Sequence, residues 1–394
     1  MAMPPMSPSG VLGLPGRVTS QSEPVDVRTA DLQLSGRFVP VVGPARIYVC
    51  GITPYDVTHL GHAATFVWAD VLAAVLRMSG AEVVTSRNVT DVDDVLTRAA
   101  DARGRHYDEF ALSQEFSFEQ DMRALGVRPP THQPRARHHI AHVQQLAAAL
   151  LRNERAYVRE GHVFFRGAGV VAQAGLDAEQ ARRLAAEFGD QPDDALREDP
   201  FDVPVWRPSG ERDPAWPSPW GWGRPGWHAE CAAMAHATLG HGVDVLVGGE
   251  DLRFPHHAQQ AAMAEAASGV GPFARTQLHV GAVHQAGSKM SKSTGNLTLV
   301  TDLLRDHPGT ALRMLLLDRP WGDAWEYRPE LLAGAHARLD ALFSAAGRRG
   351  AAEAATAAVA ACLLTDLDVP GALDVAVQEG GDAARLLVRV LALG

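Results

Sequence analysis

The stretch ARIYVCGITPYDVTHLGHAATFVWADVLAAVLRMSGAEVVTS, Ala45 to Ser86, decides the fold. Ala45 to Cys50 is a β-rich run, and Gly51 to Asp56 is a turn punctuated by Gly and Pro. A helical pattern follows from about His59 to Met78, with Ser79-Gly80 as its stop. Ala81 to Ser86 reads as a second strand. Strand, crossover helix, strand is the opening of a parallel, doubly wound sheet. Val243 to Val247 and Leu278 to Val283 are candidates for the same sheet.

Between these halves lies a mostly helical, charge-mixed stretch that ends in the Trp/Pro/Gly-rich segment Trp206 to Trp227. After Thr301 the chain is Ala/Leu-rich with helical periodicity, the pattern of a small bundle. The expected division is a loose lead-in over 1–35, a Rossmann-like catalytic domain over 36–100 and 208–300, a helical insertion over 101–207 and a C-terminal helical bundle over 301–394. The fold class expected is therefore α/β. No internal repeat is evident.

The chain has 394 residues, 46% of them hydrophobic and 21% charged, ordinary values for a protein with a real core. No run of apolar residues reads as a membrane span, and the Pro/Ser/Gly-rich start lacks the layout of a secretory signal. Three cysteines, Cys50, Cys231 and Cys362, do not make a disulfide framework in so long a chain, which points to a reducing, cytoplasmic setting. Cys362 is read as a core thiol. A net charge of -10 ill suits a protein that must grip a long polyanion.

The positive charges are sharply divided. Of 36 Lys and Arg, only Lys289 and Lys292 are lysines, and both lie in GSKMSKSTGN, Gly287 to Asn296. That segregation fits a requirement for a compact ammonium on a flexible stem, which guanidinium does not imitate. Two ammonium groups beside hydroxyls on a small-residue loop suit a triphosphate, neutralising the charge that builds on leaving pyrophosphate. Upstream, His59-Leu60-Gly61-His62 opens a helix whose N-terminus favours negative charge, and its imidazoles are suited to donate to phosphate oxygens. Cys50, Cys231 and the pair His256-His257 offer a possible zinc set: two thiolates and an imidazole, with a fourth position open as catalytic zinc requires. An open position would also separate cysteine from serine, because a thiolate binds zinc far better than a hydroxyl.

HLGH and KMSKS resemble the two ATP-binding motifs of class I aminoacyl-tRNA synthetases. YVCGITPYD, NVTDVDD (Asn88 to Asp94), GRPGWHAECAAMA (Gly223 to Ala235), FPHH and KMSKS together resemble the cysteinyl-tRNA synthetase superfamily. Within it, CGITPYD followed by THLGHAAT, and Asp213 to Ala233, are closer to the mycothiol-pathway cysteine ligases, which join cysteine to glucosaminyl-inositol. The likeness covers about Ile47 to Thr301, with a fainter echo at Leu367-Asp368-Val369-Pro370.

That resemblance implies a class I synthetase-type fold, ATP as co-substrate with Mg2+, and one zinc on Cys50, Cys231 and His256. Cysteine and its adenylate would touch Cys50, Gly51, Ile52, Thr53, Thr65, Asn88, Val89, Thr90 and Trp227. Gly249, Glu250, Asp251 and the backbone near Val283 would hold the adenosine. His59, His62, Lys289 and Lys292 would serve the phosphates catalytically. The implied partners are L-cysteine, ATP and an amino sugar-inositol; tRNA and membranes are not expected, and the chain is expected to be a monomer.

The sequence departs from the pattern in places. Ala258 follows His257 where these families carry Glu, and Gln260 stands where the synthetases place a fourth zinc-side Glu. VGGEDLR has Val247 for a glycine and Glu250 for a small or apolar residue. EFGDQP, Glu187 to Pro192, is a drifted copy of a ligase segment on the acceptor side that is richer in Arg and Gly. Alternatives to the ligase are a cysteinyl-tRNA synthetase, a diverged ligase using another amine, and a non-catalytic binder of adenylate or cysteine. A synthetase would call for a longer, basic tail. A binder would not need the pyrophosphate loop.

Overall fold

The computed structural model describes residues 32–55, 58–211, 213–290, 295–350 and 353–394. Its centre is a four-stranded, wholly parallel sheet of β1 (Ala45–Ile52), β2 (Val83–Val89), β3 (Val243–Gly249) and β4 (Ala274–Val280), in the order β4-β3-β1-β2. Ile47 lies opposite Val245 on one side and Thr85 on the other, which fixes the register at mid-sheet. β1 alternates between two layers. Ile47 and Val49 face the main core with helix α1 (Leu60–Met78), whereas Tyr48 and Cys50 join a second cluster with Cys231 and Ala235. Helices α2 (Trp227–Leu239) and α3 (His256–Ser268) cover that second face.

The expected strand–helix–strand unit is present: α1 ends at Met78, Ser79 caps it and Gly80 follows at φ 89°. The fourth strand runs earlier than its sequence reading, ending at Val280; Val283 starts a separate short strand, Val283–Gln285. By length and composition α1 is apolar enough to cross a membrane, yet 83% of that window is buried, because it is the central core helix.

The stretch between β2 and β3 carries helices Tyr107–Ala124, Ile140–Arg152 and Ala178–Glu187, and also an antiparallel sheet of Ala156–Arg159, His162–Phe165, Val203–Pro208 and Gly223–Pro225. Its first hairpin turns at Glu160-Gly161, both at positive φ, the geometry that tight hairpins favour. The strand Val203–Pro208, paired with Gly223–Pro225, spans the expected boundary at 207/208.

Of the expected loose lead-in, residues 1–31 lie outside the described residues. Leu32 and Leu34 are buried, and Gln33–Leu34 pairs with Arg37–Phe38. The C-terminal part is helical, with Leu331–Ala346, Glu353–Leu364, Val369–Glu379 and Gly381–Val390 packed together and continuous with the main core. Asp368 caps the third of these helices, its carboxylate accepting from Gly371 N. Cys362 is only partly buried there, at the edge of the core.

Candidate active site at the carboxyl ends of the parallel strands

Open parallel sheets bind ligands beyond the carboxyl ends of their strands. Here those ends are Cys50–Ile52, Asn88–Val89 and Gly249, six of the sequence-predicted site residues. Gly51 is required by its neighbour: a Cβ there would lie 1.9 Å from the Asn88 carbonyl oxygen. Gly51 N donates to Asn88 Oδ1 (2.9 Å), and Asn88 Nδ2 reaches Cys231 Sγ (3.5 Å). One amide thus ties both strand ends to the thiol pair. Thr53 and Thr90 share a hydroxyl–hydroxyl bond of 2.7 Å, and the Ile52 carbonyl accepts from Thr90 N. Val89 is buried, its N–H donating to the Pro134 carbonyl. Thr65 is buried in the first turns of α1, and its hydroxyl would lie 3.8 Å from a Cβ on Gly249.

Cys50, Cys231 and His256 are all buried, and their ligand atoms lie within 4.8 Å of one another. They come from the end of β1, the second turn of α2 and the first residue of α3. His256 Nε2 is buried with no hydrogen-bond partner among the described residues, while its Nδ1 meets His228 Nδ1 at 2.8 Å. An imidazole oriented through one nitrogen and unpaired at the other is what a metal ligand requires. Burial pushes the Cys231 thiol well up, with Cys50 adding to the effect, and drives His256 well below the ordinary imidazole range. Both shifts penalise charge that a bound cation would offset. The residues present therefore fit zinc. Gln260 accepts from Cys50 Sγ at 3.4 Å and leaves its own Nε2 unpaired among the described residues.

Trp227 opens α2 with its indole stacked on His256, ring centres 4.0 Å apart and planes 19° from parallel. Behind the cluster, His257 Nδ1 meets His279 Nε2 at 2.8 Å, and burial pushes His279 down to about 4. Glu230 is buried with both carboxylate oxygens unpaired among the described residues, and burial raises it well above the carboxylate range. His228, Glu230 and His279 were not singled out from the sequence. His228 and Glu230 flank Trp227 and Cys231 in GWHAEC, which was the available signal; His279, in β4, had none.

The nucleotide side is assembled by backbone pairing. Leu60 N donates to the Thr298 carbonyl and Val300 N to the Thr58 carbonyl, so the chain after the lysine loop zips onto the start of α1. His59 caps α1, its Nδ1 accepting from Gly61 N at 3.1 Å, and its ring stacks on His62 at 3.9 Å. Gly61 is needed for this cap, since a Cβ would sit 3.0 Å from the His59 ring. Val283–Gln285 pairs with Ser288–Lys289 across an Ala286-Gly287 turn, and Asn296 closes the loop by donating to the Gln285 and Ser288 carbonyls. Lys289 Nζ lies 2.9 Å from Asp251 Oδ2, in the short helical turn Glu250–Arg253 after β3. Glu250 is exposed. Val283 is buried, its carbonyl taken by Met290 N. Lys292 lies outside the described residues.

Comparison with known proteins matches residues 39–337 to the family described as "tRNA synthetases class I (C) catalytic domain". The L-cysteine:1D-myo-inositol 2-amino-2-deoxy-alpha-D-glucopyranoside ligase of Thermobispora bispora is 40% identical over 351 residues, 87% of each chain. The cysteine–tRNA ligase of Rhodospirillum rubrum is 40% identical over 337 residues, 84% of this chain and 73% of its own. Among solved structures, a Mycobacterium tuberculosis methionyl-tRNA synthetase with methionyl-adenylate superposes at a TM-score of 0.60 with 18% identity, over 89% of this chain and 82% of its own, a likeness of fold.

Proposed function

The chain belongs to the class I (C) tRNA synthetase catalytic-domain family and is an ATP-dependent ligase, and from that premise we propose that it activates L-cysteine as cysteinyl-AMP and transfers it to the amine of glucosaminyl-inositol. The observation that carries this reading is the buried trio Cys50, Cys231 and His256, with His256 Nε2 unpaired among the described residues, at the carboxyl ends of the parallel strands where Lys289 pairs with Asp251 after β3.

Zinc on these three residues would supply the open position that takes a substrate thiolate and rejects a hydroxyl. Trp227, Thr53, Thr65 and Thr90 would enclose the rest of cysteine, with Asn88 holding the strand ends in place. The cysteine carboxylate oxygen attacks the α-phosphorus of ATP, and pyrophosphate leaves as its bond to that phosphorus breaks. His59 and His62 would donate to phosphate oxygens, and Lys289 and Lys292 would neutralise the departing pyrophosphate, with Mg2+ accompanying ATP. Gly249, Asp251 and the backbone near Val283 would hold the nucleoside, with Glu250 at its exposed edge. In the second step the free amine attacks the acyl carbon, the acyl–phosphate bond breaks, AMP leaves, and the nitrogen gives up a proton. A neutral amine needs positioning more than a strong base. The protein would act as a cytoplasmic monomer.

Purified zinc-loaded protein with ATP and cysteine, offered glucosaminyl-inositol or cysteine tRNA in parallel, tests the reading by mass spectrometry. The expected result is the amide with uncharged tRNA. Charged tRNA without amide would establish the second reading, a cysteine–tRNA ligase, which the R. rubrum relative favours.

A further inference from the structure

The lysine loop returns to the body of the protein through residues 296–301, and that return is pinned to the start of α1. Thr298 Oγ1 donates to Gln285 Oε1 at 2.6 Å, which ties the two arms of the loop together. Beyond it the chain runs antiparallel to 58–60. Leu60 N donates to the Thr298 carbonyl at 3.0 Å, His59 lies opposite Leu299, and Val300 N donates to the Thr58 carbonyl at 2.9 Å. His59 is thus paired at the backbone with the segment that ends the loop.

The ladder stops at Thr301, where a third element takes over. The Thr301 hydroxyl donates to Asp121, 3.0 and 3.2 Å from its two carboxylate oxygens. Asp121 is on helix Tyr107–Ala124, 180 positions away in sequence, and is only 5% exposed. Burial raises its carboxyl above the usual range, and the Thr301 and Thr58 hydroxyls oppose that rise by bonding the charged form. Thr58 is itself buried. The helix that carries Asp121 is fixed on α1: Phe118 meets Phe66 edge-on, ring centres 5.0 Å apart, and Phe118 and Met122 lie in the main core. One buried carboxylate therefore holds the residue before HLGH and the residue that ends the loop's return, from a helix that belongs to neither.

We propose that Asp121 is a positioning residue for the adenylation step, its carboxylate locking Thr301 so that the lysine loop is held in register with the imidazoles of His59 and His62. This deepens the cysteine-activation reading and rests on it. Imidazole and ammonium groups act on one triphosphate from two separate stretches of chain, so the joint between those stretches sets their spacing. That joint is a short backbone ladder whose last residue, Thr301, is exposed. A charge-assisted bond to a buried carboxylate is what keeps this end from fraying. The placement matters because a shift of about 1 Å in a group that acts on the reacting atoms costs about a hundredfold in rate.

The test measures cysteine-dependent ATP–pyrophosphate exchange in zinc-loaded, full-length protein carrying Thr301→Val, Thr301→Ser, Asp121→Ala, or Asp121→Ala with Thr301→Val. Thr301→Val keeps the side chain's shape at an exposed position and removes the hydroxyl, whereas Thr301→Ser retains it. The expected result is kcat lowered about tenfold in Thr301→Val and in Asp121→Ala, with Thr301→Ser close to normal. The KM for cysteine and the zinc content should stay within about twofold of wild type. The double variant should be no slower than the slower single one, since both changes break the same bond. An unchanged kcat in Thr301→Val, a cysteine KM that rises in step, or effects that multiply in the double variant overturns the assignment. If Asp121→Ala folds poorly, the two Thr301 variants decide the matter. If wild type itself shows no exchange, the activation reading fails and this assignment falls with it, an outcome distinct from exchange that persists undiminished in the variants.

Discussion

Two sets of buried polar groups, one at the middle of α1 and one at the carboxyl ends of the parallel strands, are finished differently. Asp70, in the middle of α1, accepts from Arg128 and Arg313, while Arg313, 0% exposed, spends its other donors on the Leu125 and Leu391 carbonyls. Arg128 reaches on to the Arg389 and Val390 carbonyls. This junction ties α1 to the last helix, and each charge has its partner. In the chamber at the strand ends, His256 Nε2, His257 Nε2, Gln260 Nε2 and both Glu230 oxygens are buried and unpaired among the described residues. Unpaired buried polar atoms cost about 1–3 kcal/mol each. Natural proteins retain them where a ligand completes the set. The completed network holds the fold; the incomplete one marks where chemistry enters.

The largest effect is expected from removing a chamber ligand. Cys231→Ser is expected to lose bound zinc by metal analysis and to lower cysteine-dependent pyrophosphate exchange about a thousandfold, since such a cation contributes several kcal/mol. Retention of zinc would remove the chamber's claimed role. At the junction the same degree of damage should appear in stability. Arg313→Met strands Asp70 with Arg128 alone and should cost about 3 kcal/mol in urea unfolding, with exchange per folded molecule little changed. If activity falls while stability holds, the division between the two networks is wrong. Lys289→Ala tests the bridge between them and the nucleotide, because its 2.9 Å pairing with Asp251 links the lysine loop to β3. We expect kcat for exchange to fall about a hundredfold with the KM for cysteine near normal, the pattern of a group that acts on developing charge.

What was legible in the sequence follows the same division. The parallel sheet could be read because strands buried on both faces give continuous apolar runs, as in Ile47 to Cys50. Cys50, Cys231 and His256 were readable because each sits near a strand end or a helix start, and the topology brings them together from distant parts of the sequence. The family match and fold likeness agree with the α/β reading. The antiparallel sheet escaped notice because its strands are short and its partners distant: Val163 pairs with Trp206, and Trp206 with Pro225. Non-local pairing of short strands has no periodicity to detect. His279 escaped for a related reason, since β4 brings it to His257 only through the sheet order. The Arg313–Asp70 junction was equally hidden, a single arginine in a chain that uses arginine almost everywhere.

The smallest effect is expected at His236, which is on α2 beyond the metal trio. Its Nε2 is buried and unpaired among the described residues, and its ring packs near His241 and Phe273. Burial, with a smaller contribution from His241, pushes it down to about 4. A histidine with a folded value below its unfolded one takes up a proton more readily when the chain unfolds. Its contribution to stability is therefore fully present above about pH 6.5 and is lost as pH falls toward 4. His236→Phe should remove about 1 kcal/mol of the stability loss between pH 7 and pH 5, read from urea melts at the two values, the ring's partial exposure holding the effect below the full shift. Zinc content and exchange should stay as in wild type. A loss of zinc instead would mean that an unpaired imidazole on α2 belongs to the chamber after all, and that the boundary between the two networks lies further along that helix.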